Sequence, residues 1–305
     1  MAESTEVWSE TSPRAALLTE DPQAILVFLL DAFTEGLGCG LVTLIEITGG
    51  SARALGAQMA VRADGLFCGH VSGGCVEAAV AREVMNAIQD GHDRFLHLGD
   101  GSPLFDIRLA CGGAIRLAIH VLRNDHVLRT VLDCLSARRP AALAYDGRSQ
   151  NLEAVIGQAQ AVWRNDGFLR PYRPGVRVLL AGQPMELEAV RGVAIAAGYE
   201  PVSICENMEE IDADTAVVSL YHDIDRELPY LLKVLESDAF YIGALGSART
   251  HERRCAALMQ RGVDSRSIAR IRAPIGLFPK ARDAHALALS IVAEIAVVRA
   301  AAMLN

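Results

Sequence analysis

Three short stretches of this chain carry the residue types able to hold an anion or offer a thiolate. Gly49-Gly50-Ser51-Ala52-Arg53 sets two glycines, a hydroxyl and a guanidinium side by side at the end of an apolar run. Backbone N–H groups in a glycine-rich turn form an anion-binding concavity, and an arginine beside it adds a permanently charged, forked donor. Gly69-His70-Val71-Ser72-Gly73-Gly74-Cys75-Val76-Glu77 leads into a helical pattern. Cys75 falls at the start of its first turn, where unpaired N–H groups lower a thiol's pKa, so it is the best candidate for a reactive thiolate. Glu77 stands in the same turn, where negative charge suits the helix dipole. Leu109-Ala110-Cys111-Gly112-Gly113 again sets a thiol beside two glycines. Taken singly, each stretch reads first as a turn or an inert buried cysteine. Taken together, they suggest a shared pocket that draws on Ser51, Arg53, Gly73, Gly74, Cys75, Glu77, Cys111, Gly112 and Gly113.

The second half offers weaker candidates. Tyr221-His222-Asp223 follows the apolar run Ala216–Leu220, and Gly246-Ser247-Ala248-Arg249 follows Phe240–Ala244. Open α/β sheets bind ligands at such strand ends, so His222, Gly246, Ser247 and Arg249 are candidate contacts. A dinucleotide fingerprint would need G-x-G-x-x-G after a strand. The chain instead has Gly182-Gln183-Pro184-Met185-Glu186-Leu187, with a proline, which lacks an N–H, at the second glycine's position. NAD(P) binding at this loop is therefore not expected, although Glu206 after the next strand could accept a ribose hydroxyl.

The elements that must position these residues divide the 305-residue chain in two. Residues 1–20 read as a flexible, polar N-terminus. Residues 21–150 read as an α+β domain: a helix over 22–35, a strand over 41–48, and a hairpin of 58–63 and 66–71 about Asp64-Gly65. A helix over 76–89, strands near 95–98, 105–109 and 115–122, a helix over 126–138 and a strand over 141–145 complete it. Residues 151–175, ending in Arg170-Pro171-Tyr172-Arg173-Pro174-Gly175, read as a linker. Residues 176–305 alternate strand and helix, so a doubly wound parallel sheet is expected there. The fold class is α/β overall.

Composition limits the functions open to the chain. Hydrophobic residues make up 51% and the formal net charge is -8, which argues against a nucleic-acid partner. The polar start and a last apolar run interrupted by Glu294 and Arg299 predict a soluble, cytoplasmic protein with no membrane partner. Seven cysteines without a C-x-x-C pair read as free thiols.

In order, GGSARALGAQMAV (49–61), GHVSGGCVEAAV (69–80), LACGG (109–113), YHD (221–223), YIGALGSART (241–250), IRAPIGL (271–277) and SIVAEIA (290–296) resemble the XdhC/CoxI family of xanthine dehydrogenase accessory factors. The resemblance implies an XdhC/CoxI domain followed by a Rossmann-like one. It implies transient binding of the molybdenum cofactor (molybdopterin), its protection, and delivery of its sulfurated form to a xanthine dehydrogenase-like apo-enzyme, with no catalysis by the chain itself. Cys75 and Cys111 would then contact molybdenum or its sulfide. A cysteine desulfurase is an implied partner, and a homodimer the implied assembly. The chain departs from the family where a GAGH-like loop is replaced by Gly182-Gln183-Pro184-Met185, and in the run after Leu277. An NAD(P)-dependent oxidoreductase and a cofactor-free docking scaffold are the alternatives.

Overall fold

Asp21 accepts a hydrogen bond from the Gln23 backbone N–H and Pro22 fixes the first turn, so the apolar run after them starts as helix α1 (Pro22–Thr34). The computed structural model describes residues 12–74, 76–99, 112–157, 160–203, 211–278 and 281–304. The chain divides into two compact units, Met1–Arg173 and Pro174–Asn305.

In the first unit, α1 is preceded by β1 (Arg14–Leu17) and followed by β2 (Cys39–Thr48), β3 (Gln58–Arg62), β4 (Leu66–Gly69), α2 (Glu77–Asp90), β5 (Arg94–Gly99), β6 (Ala114–Val121) and α3 (His126–Ser136). A six-stranded sheet has the order β1-β4-β3-β2-β6-β5. Strand β2 is central, and its first seven residues are buried because both faces of the sheet are covered. Val42 and Leu44 face the core built on α2, whereas Leu41 and Ile45 face the core built on α1 and α3.

Two expectations fail in this unit. Residues 14–17 fall in the segment read as flexible, yet β1 pairs in parallel with β4. The stretch read as a linker holds β8 (Asn151–Ile156), β9 (Val162–Arg164) and β10 (Gly167–Tyr172), which with β7 (Ala141–Asp146) form an antiparallel sheet ordered β8-β7-β10-β9. Leu152, Phe168 and Tyr172 of that sheet are buried in the α1/α3 core. Outward-facing polar residues at alternate positions dilute the apolar signal of such half-buried strands. The strand expected over 105–109 lies outside the described residues.

The second unit comprises β11 (Arg177–Gly182), α4 (Pro184–Ala196), β12 (Glu200–Ser203), β13 (Thr215–Leu220), α5 (Ile224–Leu235), β14 (Tyr241–Ala244), α6 (Ala248–Gln260), α7 (Ser265–Ile268), β15 (Ile271–Arg272) and α8 (Ala284–Leu304). All pairings in its sheet, ordered β12-β11-β13-β14-β15, are parallel. Helices α4 and α8 cover one face and α5 and α6 the other, the doubly wound arrangement. Helix α8 is apolar enough over Ala284–Ala301 to span a bilayer, at a mean hydropathy of 1.7. It serves as a core helix: Ala288, Ile291 and Ile295 are fully buried, Glu294 accepts from the Tyr241 hydroxyl, and Arg299 pairs with Asp214 at 2.5 Å.

Candidate functional site

Antiparallel pairing decides where the glycine stretches go. Thr48 at the end of β2 lies opposite Ala114 at the start of β6, and Gly99 at the end of β5 lies opposite the same Ala114. Met59, near the start of β3, lies opposite Gly69 at the end of β4. The loops that follow β2 and β4 and the segment that enters β6 therefore leave one edge of one sheet. The sequence places these stretches up to 64 residues apart, and the strand register brings them together.

Close backbone packing at that edge explains several of the glycines. A Cβ on Gly113 would overlap the Gly50 carbonyl oxygen, and one on Gly49 would stand 3.4 Å from the Gly113 Cα. A Cβ on Gly73 would stand 3.4 Å from the Ala52 Cβ, so the first and second loops also meet. Gly73, Gly74 and Gly112 have φ of 93°, 111° and 68°, left-handed values that favour glycine. Among the described residues, nothing lies within 4 Å of a Cβ built on Gly74 or Gly112. Cys75 and Cys111 lie outside the described residues.

Two predicted contacts prove to be committed elsewhere. The Ser51 hydroxyl donates to the Arg53 carbonyl oxygen at 2.8 Å and accepts from the Arg53 N–H at 3.2 Å, so it shapes the turn. The Glu77 carboxylate, almost fully buried, accepts from the backbone N–H groups of Val71, Ser72 and Val76 and from the Ser72 hydroxyl. The helix start already holds its anion, and Glu77 clamps the loop rather than a ligand. Burial pushes its carboxyl up, but the hydrogen bonds led by Ser72 outweigh this and hold it below the usual range. Glu77→Ala would orphan these N–H groups and should cost about 3 kcal/mol, measured by urea unfolding. A loss below about 1 kcal/mol would mean that water replaces the carboxylate.

Arg53 remains the available cation of the first loop. Its Nη1 pairs with the exposed Glu20 carboxylate, while its buried Nε has no partner among the described residues. Glu20 is held below its ordinary carboxyl range chiefly by the Arg53 hydrogen bond, so it stays ionised. The His70 Nε2 stands 3.6 Å from the same carboxylate, and its buried Nδ1 has no partner among the described residues. By contrast, Cys39, Cys68 and Cys134 are buried core thiols; burial pushes Cys39 up to about 11 and raises Cys68.

A cavity of about 350 Å³ beside the first loop is lined by Arg53, Gly56, Trp163 and Arg170 among others. Trp163 and Arg170 belong to β9 and β10 and were missed from the sequence, because their segment reads as a linker. The signal that could have exposed them is the pair of short alternating runs, Val162-Trp163-Arg164 and Gly167-Phe168-Leu169, about the Asn165-Asp166 turn.

In the second unit, parallel strands send their following loops to one edge. His222 and Thr250 line a cavity of about 540 Å³ there, with Asp223 and Arg253. His222 is paired with Glu186 at 3.5 Å. Ser247 caps α6 by accepting from the Thr250 N–H at 3.2 Å, and Gly246 has φ 127° with a Cβ position 2.8 Å from Thr250 Cγ2. Arg249 is exposed and does not line the cavity. Pro184 occupies the first turn of α4, with Glu186 in the same turn.

Comparisons with known proteins align with this layout. The family model for the XdhC Rossmann domain matches residues 121–295, and that for the XdhC and CoxI family matches residues 32–99. The molybdenum cofactor insertion chaperone PaoD of Escherichia coli (strain K12) is 48% identical over 294 residues, 94% of this chain and 92% of that protein. The uncharacterized protein YqeB of the same organism is 28% identical over 250 residues, 81% of this chain but 41% of YqeB. A crystal structure described as a xanthine dehydrogenase from Bacillus halodurans matches with a TM-score of 0.69 at 20% identity, covering 90% of this chain and 96% of that one, a likeness of fold.

Proposed function

Because the chain belongs to the XdhC and CoxI family, we propose that it is an accessory protein that binds molybdenum cofactor, protects it, and delivers its sulfurated form to a xanthine dehydrogenase-like molybdenum hydroxylase. The name of the 48% identical relative supports this role. The observation that carries it in the structure is the edge where the three glycine stretches meet, with the buried Arg53 Nε unpartnered among the described residues. A phosphate ester is the chemistry such an edge accommodates: backbone N–H groups supply donors and Arg53 supplies charge-assisted hydrogen bonds. Cys75 and Cys111 adjoin Gly74 and Gly112 in the sequence. They are proposed as the soft contacts to the cargo's molybdenum or terminal sulfide.

The protein is a carrier rather than a catalyst in this reading, binds its cargo transiently, and works in the cytoplasm as a homodimer visited by a cysteine desulfurase. Leu289 and Val297, each 56% exposed on α8, support an apolar contact between copies. Pro184 and Glu186 at the start of α4 support a second unit that does not hold a dinucleotide pyrophosphate in the usual way.

The test is anaerobic co-purification with molybdopterin. Wild type should carry pterin, Arg53→Gln about a tenth as much, and Cys75→Ala/Cys111→Ala should release it on gel filtration, each tenfold being about 1.4 kcal/mol. Equal loading in the double variant would remove the thiols from the site. Saturable NADH binding tighter than about 100 μM would favour a dinucleotide-dependent oxidoreductase instead.

A further inference from the structure

Two residues that line the cavity beside Trp163, Arg53 and Arg170, each have a buried guanidinium nitrogen without a partner among the described residues, Arg53 Nε and Arg170 Nη1. Both side chains are otherwise anchored. Arg53 pairs with Glu20, while Arg170 donates from Nε to the Gly56 carbonyl at 2.6 Å and stacks its guanidinium 4.2 Å above the Tyr172 ring. The Tyr172 hydroxyl in turn donates to the buried Gln58 Oε1 at 2.7 Å. The fold thus fixes Arg170 in place and leaves one of its donors unpaired among the described residues. A buried donor on a charged group left unpaired costs more than a neutral one, so two on residues that line one cavity call for an acceptor.

The charge of the cavity identifies that acceptor. Arg53 and Arg170 against Glu20 leave the lining cationic, so the missing group is an anion. The volume falls within the range of small-molecule sites, about 300–1,000 Å³, and exceeds what a single simple ion needs. Trp163 adds an aromatic wall. Its ring edge abuts Gly56, where a Cβ would stand 2.8 Å from Cη2, so the indole and the glycine loop meet along the lining of the open cavity.

We propose that Arg53, Arg170 and Trp163 form a subsite for a phosphate or pyrophosphate group that carries a ring system, with Glu20 as the competing internal anion that the ligand displaces from Arg53. This rests on the cofactor-handling reading and adds to it two residues from a sheet outside the family motifs. Phosphate oxygens satisfy both orphaned nitrogens, and the adjoining ring packs on the indole. Because Glu20 is ionised and its side chain 66% exposed, it can leave Arg53 at little cost.

The chain has two tryptophans, Trp8 and Trp163, so Trp8→Phe makes Trp163 the sole fluorescent reporter. Titrating that full-length variant with inorganic pyrophosphate at constant ionic strength should give a saturable change with a Kd of about 1 mM or tighter. Arg170→Lys keeps the charge but loses the fork, and should weaken binding about tenfold. Glu20→Gln, at an exposed position, should tighten it about threefold. Arg129→Lys, on an exposed helix face, is the control and should leave the Kd unchanged. No saturable change, or the same Kd in Arg170→Lys and wild type, overturns the subsite, and so does weaker binding in Glu20→Gln. Molybdopterin loading of the same variants separates the two proposals. Wild-type loading with no pyrophosphate response removes the subsite alone. An Arg170-dependent pyrophosphate response in a protein that never carries pterin removes the cofactor reading alone.

Discussion

Glu227→Ala is expected to destabilise the second unit by about 3–5 kcal/mol, the largest effect of any single substitution considered, because it leaves a buried charge alone. Glu227 and Arg254 are both fully buried and pair at 2.8 Å between α5 and α6. Glu227 also accepts from the Ser219 hydroxyl at 2.5 Å, at the end of β13. Arg254 donates to the Leu245 carbonyl at 2.6 Å, just before the Gly246–Arg249 loop. The pair therefore ties two strand ends to two helices at the edge where ligands are bound in such sheets. Removing the carboxylate orphans the guanidinium and the hydroxyl together, whereas Glu227→Leu with Arg254→Met should recover most of the loss, since buried ion pairs replace well by apolar groups. Urea unfolding reads this cleanly. In a Trp8→Phe background the remaining tryptophan, Trp163, lies in the first unit, so circular dichroism should move to lower urea while tryptophan fluorescence keeps its midpoint. A loss under about 1 kcal/mol would show that water reaches the pair.

Asp93→Asn should cost the first unit about 3 kcal/mol near neutral pH, for a reason visible in its four donors. Asp93 Oδ1 accepts from the Val121 N–H and Arg123 Nη1, both at 2.9 Å. Its Oδ2 accepts from His120 Nδ1 and the Tyr145 hydroxyl, both at 2.8 Å. An asparagine amide has one acceptor oxygen, so its NH₂ must face a pair of donors. Burial pushes the Asp93 carboxyl up, but the His120 hydrogen bond and charge, with the Val121 N–H and Tyr145 hydroxyl, outweigh it and hold the group below its ordinary value. A carboxyl depressed by folding stabilises the native state above its unfolded pKa, about 3.9, and the gain disappears as pH falls through the lower folded value. The gap between wild type and Asp93→Asn should therefore be widest above about pH 5 and narrow steadily below it. A gap that does not change with pH would show that Asp93 carries no ionisation-linked stability.

Much of the architecture was legible in the chain because the signals were local. The run from Leu41 to Thr48 has the apolar β-branched character of a strand covered on both faces, and it is the central strand. Asp64-Gly65 marked a hairpin that joins β3 to β4. Gly182-Gln183-Pro184 marked the start of α4, since proline in the first turn of a helix is visible without any tertiary contact. The half-buried strands β8 to β10 failed to stand out because their residues alternate between core and solvent. Only the register with β7 shows that Phe168 and Tyr172 face inward.

The candidate site divides along the same line. The sequence by itself determined which stretches are glycine-rich, that Arg53 follows one of them, and the family whose motifs these are. Residue type and spacing are enough for that. Only the tertiary structure decided that the glycine stretches share one sheet edge, because antiparallel register is a long-range property. It also decided which polar groups are free. Ser51 and Glu77 had the right chemistry for a ligand, but each is satisfied by backbone groups a few residues away. Arg170, unremarkable in the chain, is held by the Gly56 carbonyl and the Tyr172 ring with a buried donor that has no partner among the described residues. Residue type states what a side chain can bind, and the fold states whether its partners have already been supplied.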